Sequence, residues 1–174
     1  AYPFLQPVSG DEMTLSFDLI DGNAGTLWYN ITHCDRDWNK SDLFTSDYLE
    51  GYDENQVTDF LPSFNTKVNY VHYRLTLPNS DVRFLVSGNY VITVWEASEP
   101  DKPLLVRRFY ISEGSTSAAV VFRRPMKPGT TDTHQQAEIT VTTGGLPVTD
   151  PYRQVTLTVM QNGRADRMHA GLTP

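Results

Sequence analysis

Apolar and polar residues alternate with a period of two along most of this chain. Met13, Leu15, Phe17 and Leu19 are separated by Thr14, Ser16 and Asp18, as in a strand with one face on a core and one in water. Leu27, Tyr29 and Ile31 alternate with Thr26, Asn30 and Thr32, with Trp28 adding bulk on the second face. Val71, Tyr73, Leu75 and Leu77 alternate with His72, Arg74 and Thr76. Two further runs, Tyr90–Glu96 and Leu104–Ile111, flank a connection containing Pro100, Asp101 and Pro103, and read as a long hairpin. No segment carries an apolar stripe at helical spacing. The best helical candidate is one or two turns around Ser41–Leu49, with Ser41 or Asp42 as N-cap.

Short alternating strands bounded by Gly, Asn, Asp and Pro predict an all-β fold: an antiparallel immunoglobulin/fibronectin-III-like β-sandwich, followed by part of a second β-domain. The sandwich is assigned to residues 1–112, a small polar linker to Glu113–Ser117, and the second domain to residues 118–174. In that second part Ala118–Arg124, Ala137–Thr143 and Gln154–Gln161 alternate again. Asn162-Gly163 offers a tight turn, but Arg164–His169 shows no alternation with which to complete a hairpin. Three strands close a sandwich poorly, so the second domain is expected to be incomplete.

Charge sharpens this division. Residues 1–112 hold 8 Lys+Arg against 16 Asp+Glu, whereas residues 113–174 hold 6 against 5. The acids concentrate in Asp35, Asp37, Asp42, Asp47, Glu50, Asp53, Glu54 and Asp59. A surface of that sign repels phosphate backbones and argues against nucleic-acid binding. The single cysteine excludes an internal disulfide. No apolar run approaches the roughly 18 residues of a membrane-spanning helix.

The densest candidate chemistry is His33-Cys34-Asp35-Arg36-Asp37-Trp38-Asn39. Adjacent strand residues face opposite ways, so His33 cannot serve as base for a Cys34 nucleophile. Asp35-x-Asp37-x-Asn39 matches the first half of a calcium loop. The match then fails, because Lys40 stands at the glycine turn position and Ser46 at the bidentate glutamate position. The competing reading is a strand-end turn in which Asp and Asn side chains bond their own backbone. The histidines at 33, 72, 134 and 169 lack the paired spacing of a zinc site. No phosphate-binding glycine loop or nucleophile elbow is present. No catalytic, cofactor or metal residue is therefore assigned.

A binding module remains. Trp38, Phe44, Tyr48, Tyr52, Phe60 and Phe64 decorate residues 35–66, a segment without clear alternation that reads as a long loop. Most of these rings are expected to bury against the sandwich, and any left exposed could stack on a sugar or anchor a protein. A periplasmic or surface carbohydrate-binding module is the alternative this leaves open.

Several phrases, in order, carry a resemblance to a known family. They include Leu15-Ser16-Phe17-Asp18, Ile31-Thr32-His33-Cys34-Asp35, Asp37-Trp38, Ser41-Asp42-Leu43, Tyr48-Leu49-Glu50-Gly51-Tyr52 and Ser63-Phe64-Asn65-Thr66. They continue with His72-Tyr73-Arg74-Leu75, Ser87-Gly88-Asn89-Tyr90, Arg107-Arg108-Phe109, Asp132-Thr133-His134-Gln135, Asp150-Pro151-Tyr152 and Gln161-Asn162-Gly163. In these the chain resembles the N-terminal domain of the type IX secretion system plug protein, a Bacteroidota family formerly described as a domain of unknown function. The resemblance implies a non-enzymatic, periplasmic protein without cofactor. It would associate with the outer-membrane translocon barrel and close its periplasmic opening while no cargo passes. Members of the family are longer than this chain and carry a strand ahead of the Ala1 equivalent, which implies a trimmed fragment. Within the acidic, aromatic segment, Trp38, Asp47, Tyr48, Glu50, Tyr52 and Asp53 are the expected partner-binding residues.

Overall fold

A computed structural model describes residues 3–6, 9–20, 24–127 and 129–174. The chain divides into two compact units, residues 2–113 and residues 114–174.

The first unit is built from the alternating strands. One sheet has the order β1 (Phe4–Leu5), β10 (Pro103–Ile111), β9 (Gly88–Glu96), β3 (Leu27–Cys34), β5 (Glu54–Gln56). A second has the order β2 (Met13–Ile20), β7 (Tyr70–Leu77), β6 (Asp59–Pro62), and a two-stranded piece pairs β4 (Leu49–Gly51) with β8 (Val82–Phe84). All pairings are antiparallel except β1 against β10, which is parallel. Inward positions follow the sequence period: Leu27, Tyr29 and Ile31 of β3, Tyr90, Ile92 and Val94 of β9, and Val71, Tyr73, Leu75 and Leu77 of β7 are buried in one core. Burial of each such side chain contributes about 1.5–3 kcal/mol before the entropy cost of ordering the chain.

Two core features fix the sandwich at one end. The Tyr90 hydroxyl donates to the Val86 carbonyl oxygen at 2.8 Å, four residues upstream. That bond is a tyrosine corner, which ties the start of a strand to the loop entering it. Around the ring lie Phe84 at 5.2 Å, Phe109 at 5.6 Å and Tyr48 at 6.1 Å between centroids. Edge-to-face and stacked pairs of this kind add to plain burial.

Residues 44–62 form separate short elements and not the expected long loop. The helical turn α1 (Thr45–Tyr48), β4, β5 and β6 follow one another, and the three strands belong to three different sheets. Strands of three or four residues are too short to display a period of two. Neither Ser41 nor Asp42 caps α1: the N-cap is Phe44, whose backbone N–H donates to the Asp47 side chain at 3.0 Å.

The described residues of the second unit form two antiparallel strand pairs. β11 (Ser117–Arg123) pairs with β12 (Gln136–Thr142) in unbroken antiparallel register. β13 (Leu157–Met160) pairs with β14 (Met168–Leu172). The sequence runs Gln154–Gln161 as one strand, but its start belongs to α2 (Pro151–Gln154), with proline at a first-turn position where its missing N–H costs nothing. The Gln154 side-chain oxygen accepts the backbone N–H groups of Thr149 and Asp150 at 2.8 Å each. The last hairpin is completed after all. Asn162 and Gly163 take the left-handed conformation, with φ of 54° and 66°, but the chain needs two 3-10 turns over residues 161–167 before β14 begins. A two-residue turn followed directly by a strand, the arrangement the sequence lacked, is not the one used.

Candidate functional site

The His33–Asp42 cluster is a turn that closes the end of β3. Asp35 Oδ1 accepts the backbone N–H of Asp37 at 2.8 Å and of Asn39 at 2.9 Å, and Oδ2 accepts Asn39 Nδ2 at 3.3 Å. These donors, led by the Asn39 backbone, hold the Asp35 carboxyl below the usual carboxylate range. The Asp35 carbonyl oxygen receives Trp38 N at 3.0 Å and Asn89 Nδ2 at 2.8 Å. The carboxylate thus bonds its own backbone, as a strand-end turn of Asp and Asn residues does.

His33 and Cys34 face opposite ways. The His33 ring lies 5.1 Å from Tyr90 and 5.6 Å from Tyr48 between centroids, with Nδ1 2.8 Å from Ser41 Oγ. Cys34 is buried, and burial pushes its thiol up, with the Asp35 charge adding and Arg108 opposing. A raised thiol pKa leaves little thiolate for nucleophilic chemistry.

The six expected contact residues separate into distinct roles. Tyr48 is corrected from surface to core: it is 4% exposed, and its hydroxyl donates to the Ile31 carbonyl oxygen at 3.2 Å. Trp38 is half-buried, with positive φ, its ring 5.3 Å from Tyr110 and 4.7 Å below the Arg108 guanidinium. Asp47 caps α1, and Glu50 on β4 is ion-paired across the strands with Arg83 on β8. Tyr52 and Asp53 are exposed, Tyr52 at 76%. Ser46, Glu50, Gly51, Asp53 and Leu85 line one shallow depression.

The expectation that most aromatics of residues 35–66 bury is overturned. Phe44 is 77% exposed, Phe64 93%, and Phe60 40%. Phe44 precedes the helical turn α1, Phe64 lies between β6 and β7, and only Phe60 is on a strand, the edge strand β6, where its ring lies 5.6 Å from Tyr73. Phe44 and Tyr52 bracket the sequence that carries Asp47 and Glu50, and Asp53 follows Tyr52 directly, so carboxylates and uncovered rings alternate along this stretch. Such a surface suits recognition of a partner with basic and apolar groups, and it assembles no nucleophile, base or acid pair. The tyrosine corner was missed in the sequence, although Ser87-Gly88-Asn89-Tyr90 ahead of an alternating strand carried its signal.

Comparisons with known proteins give the family and a structural relative. Residues 1–113 match the model of a family described as the type 9 secretion system plug protein 1st domain. A crystal structure of a hypothetical protein from Parabacteroides merdae ATCC 43184 is similar at a TM-score of 0.90 and 29% identity. The similarity covers 100% of this chain and 44% of that one, so the chain spans less than half of that protein's length. No curated protein matches the chain.

Proposed function

Because the chain belongs to the type 9 secretion system plug protein first-domain family, we propose that it helps close the periplasmic opening of the outer-membrane translocon barrel, as a non-enzymatic part. The observation that carries this reading is the family match over the whole first unit. The exposed acidic and aromatic margin of that unit gives it a physical basis. A plug must bind firmly enough to seal and weakly enough to leave, which suits a moderate interface with a polar rim and a few aromatic anchors. Phe44 and Tyr52 serve as anchors, Glu50 and Asp53 as the rim. No helix among the described residues is long and apolar enough to cross a membrane. The protein acts from the aqueous side in this reading.

The test is capture of the translocon barrel from solubilised outer membranes by the tagged full-length protein. Tyr52→Ala with Asp53→Lys, both at exposed positions, should lower capture about tenfold or more. Asp47 is left intact because its carboxylate caps α1. Undiminished capture by the double variant would remove this face from the interface. Absence of capture by the unaltered protein would remove the proposal itself.

A further inference from the structure

Among the described residues the two main sheets of the first unit have four edge strands, and three of them are blunted. β1 is two residues long, β5 three, and β6 four, ending in Pro62. Short edges and edge prolines are how β-proteins avoid unwanted pairing. β2 is the exception. It runs eight residues, Met13–Ile20, without proline or lysine, and pairs with β7 without a register shift. Among the described residues its other edge pairs with no strand.

The side chains agree that a layer is missing there. On β7 the inward residues Val71, Tyr73, Leu75 and Leu77 are buried. Their partners on β2, Met13, Leu15, Phe17 and Leu19, are only partly buried, although they pack against the same core. The outward positions Thr14, Ser16, Asp18 and Ile20 are exposed.

Charge selects the occupant. Asp11 and Glu12 precede β2, Asp18 stands on its outer face, and no lysine or arginine occurs before Arg36. On the neighbouring strand His72 Nδ1 lies 2.6 Å from Asp18 and Arg74 is exposed on the same face, so β7 offsets part of this charge. A second copy would bring two surfaces of net −8 over residues 1–112 together, an arrangement that like-charge repulsion opposes.

We propose that the free edge of β2 accepts an extended segment of a partner protein, with apolar residues at alternate positions and lysine or arginine between them. The backbone groups of β2 supply the ladder of hydrogen bonds. The apolar side chains complete the cover over Met13, Leu15, Phe17 and Leu19. The basic side chains meet Asp11, Glu12 and Asp18. The inference stands whether or not the plug reading holds, since it rests on an edge remote in sequence from residues 44–53.

The test titrates the full-length protein with an eight-residue peptide alternating valine with lysine, and with its valine–glutamate counterpart. Amide hydrogen exchange over residues 13–20 and binding isotherms are read together. The lysine peptide should slow exchange along β2 and bind roughly tenfold tighter than the glutamate peptide. Asp18→Lys, at an exposed position, should abolish or invert that preference while leaving core exchange unchanged. Equal binding of both peptides, or protection confined to another edge, would overturn the proposal. So would full-length protein whose β2 amides are already protected and which binds neither peptide, because its own chain then covers the edge. A dimer in sedimentation, dissociated by Asp18→Lys, would assign the edge to a second copy and overturn it equally.

Discussion

Replacing Tyr90 with phenylalanine separates what its hydroxyl does from what its ring does. The residue is fully buried, and its hydroxyl donates to Val86 O at 2.8 Å, with Tyr48 O further away at 3.4 Å. Tyr48 O keeps another donor, Leu85 N at 2.9 Å, so the carbonyl left without this partner is that of Val86. One lost buried hydrogen bond with an orphaned acceptor costs about 1–2 kcal/mol at neutral pH. The cost depends on pH in a direction fixed by burial, which pushes the Tyr90 phenol above its ordinary value. A raised pKa in the folded state gives stability that is complete below the ordinary value near 10 and lost as pH rises through and beyond it. Over that window the native state loses about 1.4 kcal/mol per pH unit through each tyrosine that stays neutral while its unfolded form ionises. Tyr90→Phe lacks this loss at position 90, so its deficit against the unaltered protein should shrink towards zero by about pH 11. Tyr29, raised for the same reason, acts equally in both proteins. Urea titrations at pH 7 and 11, followed by tryptophan fluorescence, measure the two gaps. Trp28, Trp38 and Trp95 all lie in the first unit, so the signal reports that unit alone. A gap of the same size at both pH values, or none at pH 7, would refute the reasoning.

Two other expectations follow from local geometry. A Cβ at Gly51, where φ is 133°, would overlap the Asp81 backbone carbonyl, whereas at Gly88, with φ of 150°, it would meet the movable ring of His33. Gly51→Ala should therefore cost about 1–3 kcal/mol and Gly88→Ala less, measured by denaturation; the reverse order would show that His33 cannot yield. The Asp35 turn gains stability that is present above the ordinary carboxylate pKa and lost as pH falls through its depressed folded value. NMR amide shifts of Asp37 and Asn39 should accordingly move together below about pH 4 and stay still in Asp35→Asn, and an immobile native pair would contradict the turn's role.

The long strands were legible because one face of each meets a core: Leu15 and Phe17, Tyr29 and Ile31, Val71 and Tyr73 mark their faces by spacing alone. The Asp35 turn was legible in part, since Asp and Asn side chains at a strand end readily bond their own backbone, as Asp35 does with Asp37 and Asn39. Residues 44–62 were not. A three-residue strand such as Glu54–Gln56 has no period to read, and its place is set by the distant Trp28–Asn30 segment it pairs with. Alternation also says which side chains share a face, not whether anything covers that face. Tyr48 and Tyr52 look alike in the sequence, yet one reaches the Ile31 carbonyl and the other stands in solvent. The cap of α1 was misplaced because Asp47 reaches back to Phe44, where a forward cap from Ser41 or Asp42 was expected.

Closure of a channel by this protein is read most directly as a change in conductance. The purified full-length protein is added to the periplasmic side of the translocon barrel reconstituted in a planar bilayer. Conductance should fall on that side only, and Tyr52→Ala with Asp53→Lys should need a concentration about tenfold higher for the same effect. Conductance that stays unchanged at saturating protein would contradict closure.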